Sequence, residues 1–318
     1  MTQTSTDTLP LVTDRAPLAR PALDSVGLAS GKLTRLSRIL FDHGLRNGTA
    51  MFLPYDQGLE HGPRDFFANP KASDPRYVIR LALEGGFNGI VVQIGLAEKF
   101  HHEYAGEIPL VLKLNGKTEI PSDAAALSPL NATVEDAVRL GADAVGYTLY
   151  VGTPAQEQDF TQYRKVRADA TRWGMPLIVW AYPRGSAIEG KGGKDSFYAV
   201  DYAARTASEL GADVVKLNFP HPEKTEAVPS EYQAAFSTQT AIDAVVRSAN
   251  RSLVLISGGS RAGDEAMLAK ARESLQAGAT GLIFGRNVWQ REHDESLRFA
   301  AALRSVLEKY PSARHAGL

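Results

Sequence analysis

Short apolar segments recur at similar intervals along the chain, and this recurrence is the feature that most constrains its fold. The segments are rich in Val, Ile and Leu and do not alternate cleanly with polar residues, which is typical of parallel strands buried on both faces. A polar or glycine-rich turn and then a helical pattern follow each of them. Eight such segments are present, at residues 51–56, 89–95, 110–116, 144–150, 177–183, 214–220, 253–259 and 281–287.

The regions between these predicted strands carry helix start and stop signals. They predict helices over residues 31–48, 74–84, 133–140, 198–210 and 264–276. Three of the helices end alike, at a glycine that tolerates a left-handed backbone, and the next strand follows within a few residues. Eight β–α units predict an α/β fold, a (β/α)8 TIM barrel. The alternative is a doubly wound open sheet, which the near-regular repetition disfavours.

The chain of 318 residues is predicted to form one barrel domain over residues 31–318, preceded by an extension. Residues 1–30 are assigned to a flexible N-terminal arm, because the start of the chain is rich in Thr, Pro, Ala and Asp without a clear period. The connections at residues 184–196 and 221–232 are the longest, and we expect them to be mobile or to border the active site.

The composition of the chain excludes several functions. Its formal net charge is -1, so no global field favours nucleic acid or an anionic membrane as a partner. It has no cysteine, which excludes disulfides, thiolate nucleophiles and cysteine-based metal sites. No apolar run approaches the ~20 residues of a membrane span, and the N-terminus lacks the features of a signal peptide, so we expect a cytoplasmic protein.

A lysine interrupts the sixth apolar segment. Burial of Lys216 is costly unless the amine is paired or neutral, and burial lowers its pKa, so the amine can attack a carbonyl and form a Schiff base. The alternative is a lysine that reaches the strand end or pairs with a carboxylate. Lys113 shares a face of the third segment with Asn115. It is either a rival nucleophile or a charge that orients Lys216 and lowers its pKa.

Polar and aromatic side chains follow two other predicted strands. Asp56 stands at the end of the first one, in a turn that Glu60 and His61 make unusually polar, and is suited to acid–base work or to binding a substrate hydroxyl. Trp180 and Tyr182 share a face of the fifth strand. The Tyr182 phenol could pass protons beside an amine of lowered pKa, although ordinary aromatic packing also explains both rings.

The ends of the seventh and eighth strands indicate an anion site. Their turns hold Ser257, Gly258, Gly259, Gly285 and Arg286. Glycines let backbone N–H groups approach an anion, and an arginine adds charge-assisted hydrogen bonds. The turns after strands seven and eight are the usual phosphate site of a (β/α)8 barrel. Plain β–α turns that need glycine would explain either turn alone, but they poorly explain both turns in these two places.

The sequence predicts no metal and no cofactor. The seven histidines are scattered, and the adjacent pair His101 and His102 would not face one ion together. Neither a dinucleotide-binding nor a P-loop fingerprint is present. A magnesium site built only from carboxylates stays open on these grounds.

Several motifs taken together resemble the archaeal-type class I fructose-bisphosphate aldolases, the DhnA family. They are DQGLEHG at 56–62, WAYPRG at 180–185, DVVKL at 213–217, ISGGS at 256–260 and FGRN at 284–287. The resemblance implies metal-independent cleavage of fructose 1,6-bisphosphate into dihydroxyacetone phosphate and glyceraldehyde 3-phosphate, or its reversal, in glycolysis and gluconeogenesis. It also implies a homo-oligomer.

The same resemblance implies roles for individual residues. Lys216 matches the Schiff-base lysine, and Tyr182 matches the proton-transferring tyrosine. Trp180 and Asp56 match residues that orient the substrate and assist catalysis. The substrate and phosphate sites are predicted to use Ser257, Gly258, Gly259, Gly285, Arg286, Lys113 and His61.

Two alternatives stay open at this point. One is a related lyase or transferase that uses the same lysine, such as a transaldolase-like synthase or a thiolase that acts on a phosphorylated diketone. The other is a non-catalytic sugar-phosphate-binding protein, which would need neither the buried lysine nor the tyrosine beside it.

Overall fold

The structure is a computed structural model that describes residues 20–221, 226–234, 236–259 and 262–315. Parallel strands form a closed barrel in chain order. β1 pairs with both β2 and β8, so that Phe52 lies opposite Gly89 on one side and Ile283 on the other. The predicted (β/α)8 TIM barrel is therefore confirmed. The strands are β1 Ala50–Pro54, β2 Gly89–Gln93, β3 Leu110–Lys113, β4 Ala144–Val151, β5 Leu177–Pro183, β6 Val214–Leu217, β7 Leu253–Ser257 and β8 Gly281–Ile283.

Helices surround the barrel and connect its strands. Those in the described residues are α1 Ser30–Ser37, α2 Gln57–His61, α3 Pro75–Glu84, α4 Ile94–Phe100, α5 Val134–Arg139, α6 Gln156–Arg172, α7 Ser186–Glu189, α8 Phe197–Glu209, α9 Thr238–Ser248, α10 Asp264–Gln276, α11 Arg286–Trp289 and α12 His293–Leu307. The predicted helix over residues 31–48 is shorter, because α1 passes into a π-helical turn over Arg38–Asp42.

Glycine ends the helices where the sequence predicts it. Gly141, Gly211 and Gly278 have φ values of 70°, 92° and 92°, the left-handed backbone that only glycine adopts without strain. Each lies three residues before a strand, so the tight turn returns the chain to the barrel. This repeated geometry sets the spacing of the β–α units.

Helix α1 closes the end of the barrel at which the strands begin. Its Lys32 donates to Asp213, just before β6, and the two charged atoms lie 2.7 Å apart in a buried ion pair. Asp213 also accepts a hydrogen bond of 2.8 Å from the Leu177 backbone N–H. The interior of the barrel below the site is filled by Phe52, Val91, Val111, Ala144, Ile178, Val214, Leu255 and Ile283.

The end of the N-terminal arm predicted over residues 1–30 packs against the barrel. Leu23 and Val26 are buried in the same apolar cluster as Leu36 of α1, and the Leu23 N–H donates to the Ala313 carbonyl oxygen. These two apolar side chains attach the segment to the barrel. Residues 1–19 lie outside the described residues, and the domain boundary at residue 30 stays a prediction.

Most of the predicted strands run past the true strand ends, and this matters for the site. β6 stops at Leu217 and β8 at Ile283, whereas the sequence predicts strand up to residues 220 and 287. Residues after β8 form a turn and then α11. Polar residues at these ends therefore lie on turns at the rim of the barrel. In the described part of the chain, no helix is long and apolar enough to cross a membrane.

Closure of the barrel requires a glycine at position 281, because the β1–β8 seam has no room for a side chain there. It pairs with Ala50 across the β1–β8 seam, where an added Cβ would lie 1.9 Å from the Ala50 carbonyl oxygen. Gly281→Ala should lower the free energy of unfolding by about 2–3 kcal/mol, because the strands must separate to admit the methyl group. Urea unfolding of both variants checks this, with Gly95→Ala on α4 as the control, since no atom lies within 4 Å of its added Cβ. Equal stability of the two variants would contradict the prediction.

Candidate active site

The carboxyl ends of the strands open into a cavity of about 290 Å³. Ten of the eleven residues predicted for the site line it, namely Asp56, His61, Trp180, Tyr182, Lys216, Ser257, Gly258, Gly259, Gly285 and Arg286. Lys113 does not line it. Ser260, which ends the ISGGS motif, lies outside the described residues. The cavity is at the end of the barrel where active sites of this fold are found.

Lys216 presents its amine to the cavity from β6 and is only 5% exposed. Burial lowers the pKa of Lys216 to about 7, because water no longer stabilises the ammonium form. The carboxylates of Asp56 and Glu60 act against this shift, and the positive charges of Lys113 and Arg184 add to it. A substantial fraction of the Lys216 amine is therefore neutral, and nucleophilic, at neutral pH.

Tyr182 lies beside this amine at the end of β5. Lys216 Nζ is hydrogen-bonded to the Tyr182 hydroxyl, and burial raises the pKa of Tyr182 well above the usual tyrosine value. The phenol is therefore protonated and can exchange a proton with whatever is attached to Nζ. Trp180 faces Lys216 in the β5–β6 register, with its ring centroid 5.7 Å from the Lys216 Nζ.

Lys113 occupies a different place from the one that the sequence predicts. It is fully buried, and its Nζ lies 3.2 Å from Asp56 and 3.8 Å from Glu60. The Trp180 ring lies near both lysines, with its centroid 4.8 Å from the Lys113 Nζ. The Lys113 amine is enclosed and does not line the cavity, so we expect it to contact neither a substrate phosphate nor a substrate carbonyl there. Its position suits the other role considered for it, a positive charge that lowers the pKa of Lys216.

The two glycine turns lie side by side across β7 and β8. Gly259 has a φ of 69°, and its carbonyl oxygen accepts a 3.3 Å hydrogen bond from Asn287 Nδ2, which links the two turns. An added Cβ at Gly285 would lie 2.8 Å from the Pro54 carbonyl oxygen, so only glycine fits. Their backbone N–H groups suit an anion.

A buried aspartate, Asp65, holds two of the predicted binding residues at the rim. Its Oδ2 lies 2.8 Å from His61 Nδ1 and 3.7 Å from Arg286 Nη1. His61 and Arg286 therefore share one carboxylate, which fixes both side chains at the cavity wall. The sequence contains no periodic signal that would have singled out Asp65, because it lies on a 3-10 turn between α2 and α3.

Sequence reasoning also missed several residues of the cavity wall, among them Arg184, Asn218 and Lys194. Arg184 follows β5, lies 2.9 Å from Asp123 and stacks over Tyr182. Asn218 follows β6, two positions after Lys216, and accepts a 3.2 Å hydrogen bond from Ser257 Oγ. Lys194 reaches the wall from the connection between β5 and α8. Arg184 was visible as a polar residue directly after a predicted strand and Asn218 as a polar residue near the end of one, whereas Lys194 follows no such rule.

Nothing in the described ranges groups three or more His, Cys, Asp or Glu side chains as metal ligands. The cavity offers the amine of Lys216, the phenol of Tyr182 and the carboxylates of Asp56 and Glu60. The fold and the site together define a class of protein, a (β/α)8-barrel enzyme whose cavity combines a lysine amine with turns suited to an anion.

The chain belongs to the DeoC/LacD family of aldolases. A family model described as "DeoC/LacD family aldolase" matches residues 50–291. The chain is 42% identical over 263 residues to the fructose-bisphosphate aldolase class 1 of Thermoproteus tenax, covering 82% of this chain and 90% of that protein. The corresponding protein of Halobacterium salinarum is 36% identical over 252 residues, 78% of this chain and 87% of its own.

A solved structure extends the likeness to the fold. An archaeal fructose-1,6-bisphosphate aldolase, with its catalytic lysine covalently bound to the carbinolamine intermediate of the substrate, superposes with a TM-score of 0.72. It is 38% identical and covers 86% of this chain and 99% of its own. The resemblance to archaeal class I aldolases inferred from the motifs is thereby confirmed at the level of family and fold.

The lowered pKa of Lys216 predicts how its reactivity depends on pH. Labelling of Lys216 by acetic anhydride should rise through a midpoint near pH 7, because only the neutral amine reacts and its fraction grows as pH passes the pKa. Peptide mass mapping after brief labelling from pH 5 to 9 measures this, with exposed Lys99 as the internal reference. A midpoint near the usual lysine value of ~10.4 would contradict it.

The same measurement tests the role of Lys113. Lys113→Met should move the Lys216 midpoint upward by about one pH unit, because it removes a positive charge and frees the Asp56 carboxylate to stabilise the ammonium form. Lys191→Met, in the connection between β5 and α8, is the matched control. An unchanged or lower midpoint in Lys113→Met would show that its charge does not act on Lys216.

Proposed function

We propose that the protein is a class I, metal-independent aldolase that cleaves fructose 1,6-bisphosphate into dihydroxyacetone phosphate and glyceraldehyde 3-phosphate, and catalyses the reverse addition. The observation that carries the proposal is the buried Lys216 amine, of lowered pKa, hydrogen-bonded to Tyr182 within the cavity. The names of the relatives in Thermoproteus tenax and Halobacterium salinarum support the choice of substrate.

The reaction begins with attack of the neutral Lys216 amine on the C2 ketone, which gives a carbinolamine. Tyr182 donates a proton to the departing hydroxyl, water leaves, and an iminium forms. Removal of the C4 hydroxyl proton then breaks the C3–C4 bond. Its electron pair moves to the iminium and yields an enamine, and glyceraldehyde 3-phosphate departs. Protonation of the enamine at C3 and hydrolysis release dihydroxyacetone phosphate and the free lysine.

We assign the proton transfers at Nζ to Tyr182, because its hydroxyl contacts that atom. Asp56 is paired with Lys113 and lines the cavity, where it is proposed to orient the substrate and assist catalysis. The amides of the two glycine turns, with Ser257 and Arg286, are proposed to bind the phosphate next to the ketone. Trp180 lines the cavity beside Lys216 and is proposed to orient the chain of the ketose. Metabolic placement in glycolysis and gluconeogenesis, cytoplasmic location and homo-oligomeric assembly stay predictions.

Reductive trapping tests the covalent step. Borohydride added to the protein with dihydroxyacetone phosphate and a chelator should give a stable adduct on the peptide that contains Lys216, read by mass mapping. Lys216→Met should form no adduct and lose turnover almost completely, while Lys191→Met should behave as the parent. An adduct on Lys113 would identify Lys113, instead of Lys216, as the nucleophile. The absence of any adduct, with binding intact, would favour a non-catalytic sugar-phosphate-binding protein.

Tyr182 is tested by removal of its hydroxyl. Tyr182→Phe should lower kcat for fructose 1,6-bisphosphate by about 10²- to 10⁴-fold, because proton transfer at the carbinolamine loses its donor. KM should change little, since the ring remains. The control is Tyr150→Phe, because Tyr150 is also buried but its hydroxyl contacts Ser128 instead of Lys216. Equal losses in the two variants would show a general effect of buried hydroxyls rather than proton transfer by Tyr182.

A further inference from the structure

The aspartate of the DVVKL motif has no role in the proposed chemistry, yet it connects β6 to its neighbours at the end of the barrel that α1 closes. Asp213 immediately precedes β6 and is buried. Its Oδ2 accepts a 2.8 Å hydrogen bond from the Leu177 N–H, and its carbonyl oxygen accepts one of 3.0 Å from the Leu253 N–H. One residue thus joins the start of β6 to the starts of β5 and β7.

Lys32 of α1 supplies the positive charge that balances the Asp213 carboxylate. Its Nζ lies 2.9 Å from Oδ1 and 2.7 Å from Oδ2, and both side chains are buried. Burial raises the pKa of Asp213, and the Lys32 charge opposes this rise. Removal of either partner would leave an uncompensated charge inside the barrel end, which is strongly unfavourable. The ion pair therefore holds the start of β6 against α1.

Helix α1 is itself fixed against the turn that leads into β5. Gly31 packs on Gly174, where an added Cβ would lie 3.0 Å from the Gly174 Cα. Arg35 Nη1 donates a 3.0 Å hydrogen bond to the Gly174 carbonyl oxygen. Leu36 is buried in the apolar cluster of the barrel interior. The ion pair with β6 therefore starts from a helix that several other contacts hold in place.

The chain contains an internal comparison for this ion pair. The sequence LGAD stands before both β4 and β6, at residues 140–143 and 210–213. Asp143, the counterpart of Asp213, accepts a 2.8 Å hydrogen bond from Arg38 Nε of the π-helical turn that continues α1. The two pairs differ, because Arg38 is half-exposed and β4 has eight residues where β6 has four. The shorter strand depends more on the aspartate at its start.

The shortness of β6 links its start to the chemistry at its other end. Lys216 is the third residue after Asp213, so about 10 Å of extended chain separates their Cα atoms. The Lys216 Nζ has to meet a ketone carbon while it keeps its contact with Tyr182. A misplacement of ~1 Å by a change far from the chemistry can lower a rate by about 10²-fold. A displacement at Asp213 is therefore expected to reach the amine.

We propose that Lys32 and Asp213 are positioning residues for the Lys216 amine, and that their buried ion pair sets how far this amine extends into the cavity by fixing the start of β6 against α1. This inference rests on the proposed aldolase function. It gives the helix that precedes the barrel a part in the covalent step, although neither Lys32 nor Asp213 lines the cavity.

The test measures borohydride trapping at Lys216 and urea unfolding in the same variants. Lys32→Met should lower the rate of adduct formation at saturating dihydroxyacetone phosphate by about ten- to a hundredfold, because the amine is no longer held at its place. The concentration that gives half the maximal rate should change little, since the glycine turns after β7 and β8 are intact. Loss of rate without loss of affinity is what a positioning role predicts.

Arg38→Met is the matched control, because it removes the other cation that pairs with an LGAD aspartate at this end of the barrel. It should leave the rate of adduct formation unchanged. If Lys32→Met does not fold, the double variant Lys32→Met/Asp213→Asn replaces it. That variant has no unpaired buried charge, and its amide oxygen can still accept from the Leu177 N–H. It should show the same loss of rate.

The outcomes separate this inference from the aldolase proposal. A parental rate of adduct formation in folded Lys32→Met, or in the double variant, overturns the positioning role alone. Equal losses in Lys32→Met and Arg38→Met also overturn it, because they would reflect a general loosening of the barrel end. Failure of the parent protein to form any adduct with dihydroxyacetone phosphate would instead remove the aldolase function on which the inference rests.

Discussion

Burial of the Lys216 ammonium is the constraint on which the rest of the site depends. A lysine that is 5% exposed has lost most of its hydration, so its neutral form gains on its charged form, and the pKa falls to about 7. A closed barrel suits this arrangement, because its interior below the site is filled by apolar side chains and admits no water to the stem of Lys216. The same burial keeps Tyr182 protonated, so one environment prepares both a nucleophile and a proton donor.

The surrounding charges determine how far the pKa of Lys216 falls. Two carboxylates, Asp56 and Glu60, would by themselves favour the charged amine of Lys216. The Nζ of Lys113 lies 3.2 Å from the Asp56 carboxylate and 3.8 Å from that of Glu60, so its positive charge offsets much of their effect on Lys216. The Trp180 ring lies near both ammonium groups, with its centroid 4.8 Å from the Lys113 Nζ and 5.7 Å from the Lys216 Nζ. A second lysine that never contacts substrate can thus favour the neutral form of the first, which is a reason to keep a costly ion pair in the barrel.

The sequence predicted the regular parts of the molecule better than its connections. Eight apolar segments and the glycines at helix ends were sufficient for the barrel, and polar residues within or at the ends of predicted strands pointed to Lys216, Tyr182 and Asp56, because strand ends converge by topology. It misplaced Lys113, since the alternation of a strand cannot tell how deep a side chain lies. It also missed Asp65 and Lys194, because their positions depend on contacts between segments distant in the chain, such as Asp195 with Asn218. Such contacts leave no periodic signal.

The strand that carries Lys216 is fixed at both ends, and this links the far end of the barrel to the chemistry. At its start, Asp213 is bound by Lys32 of α1 and by the Leu177 N–H. Beyond its end, Asn218 is held by Asp195 and contacts Ser257. A shift of β6 by one residue would turn Lys216 from the cavity toward the surrounding helices, because successive side chains of a strand face opposite sides. Since β6 has only four residues, from Val214 to Leu217, its own ladder offers few hydrogen bonds to resist such a shift. The polar contacts at Asp213 and Asn218 therefore specify the register that the hydrophobic pattern alone leaves weakly defined, and they place the amine at the cavity.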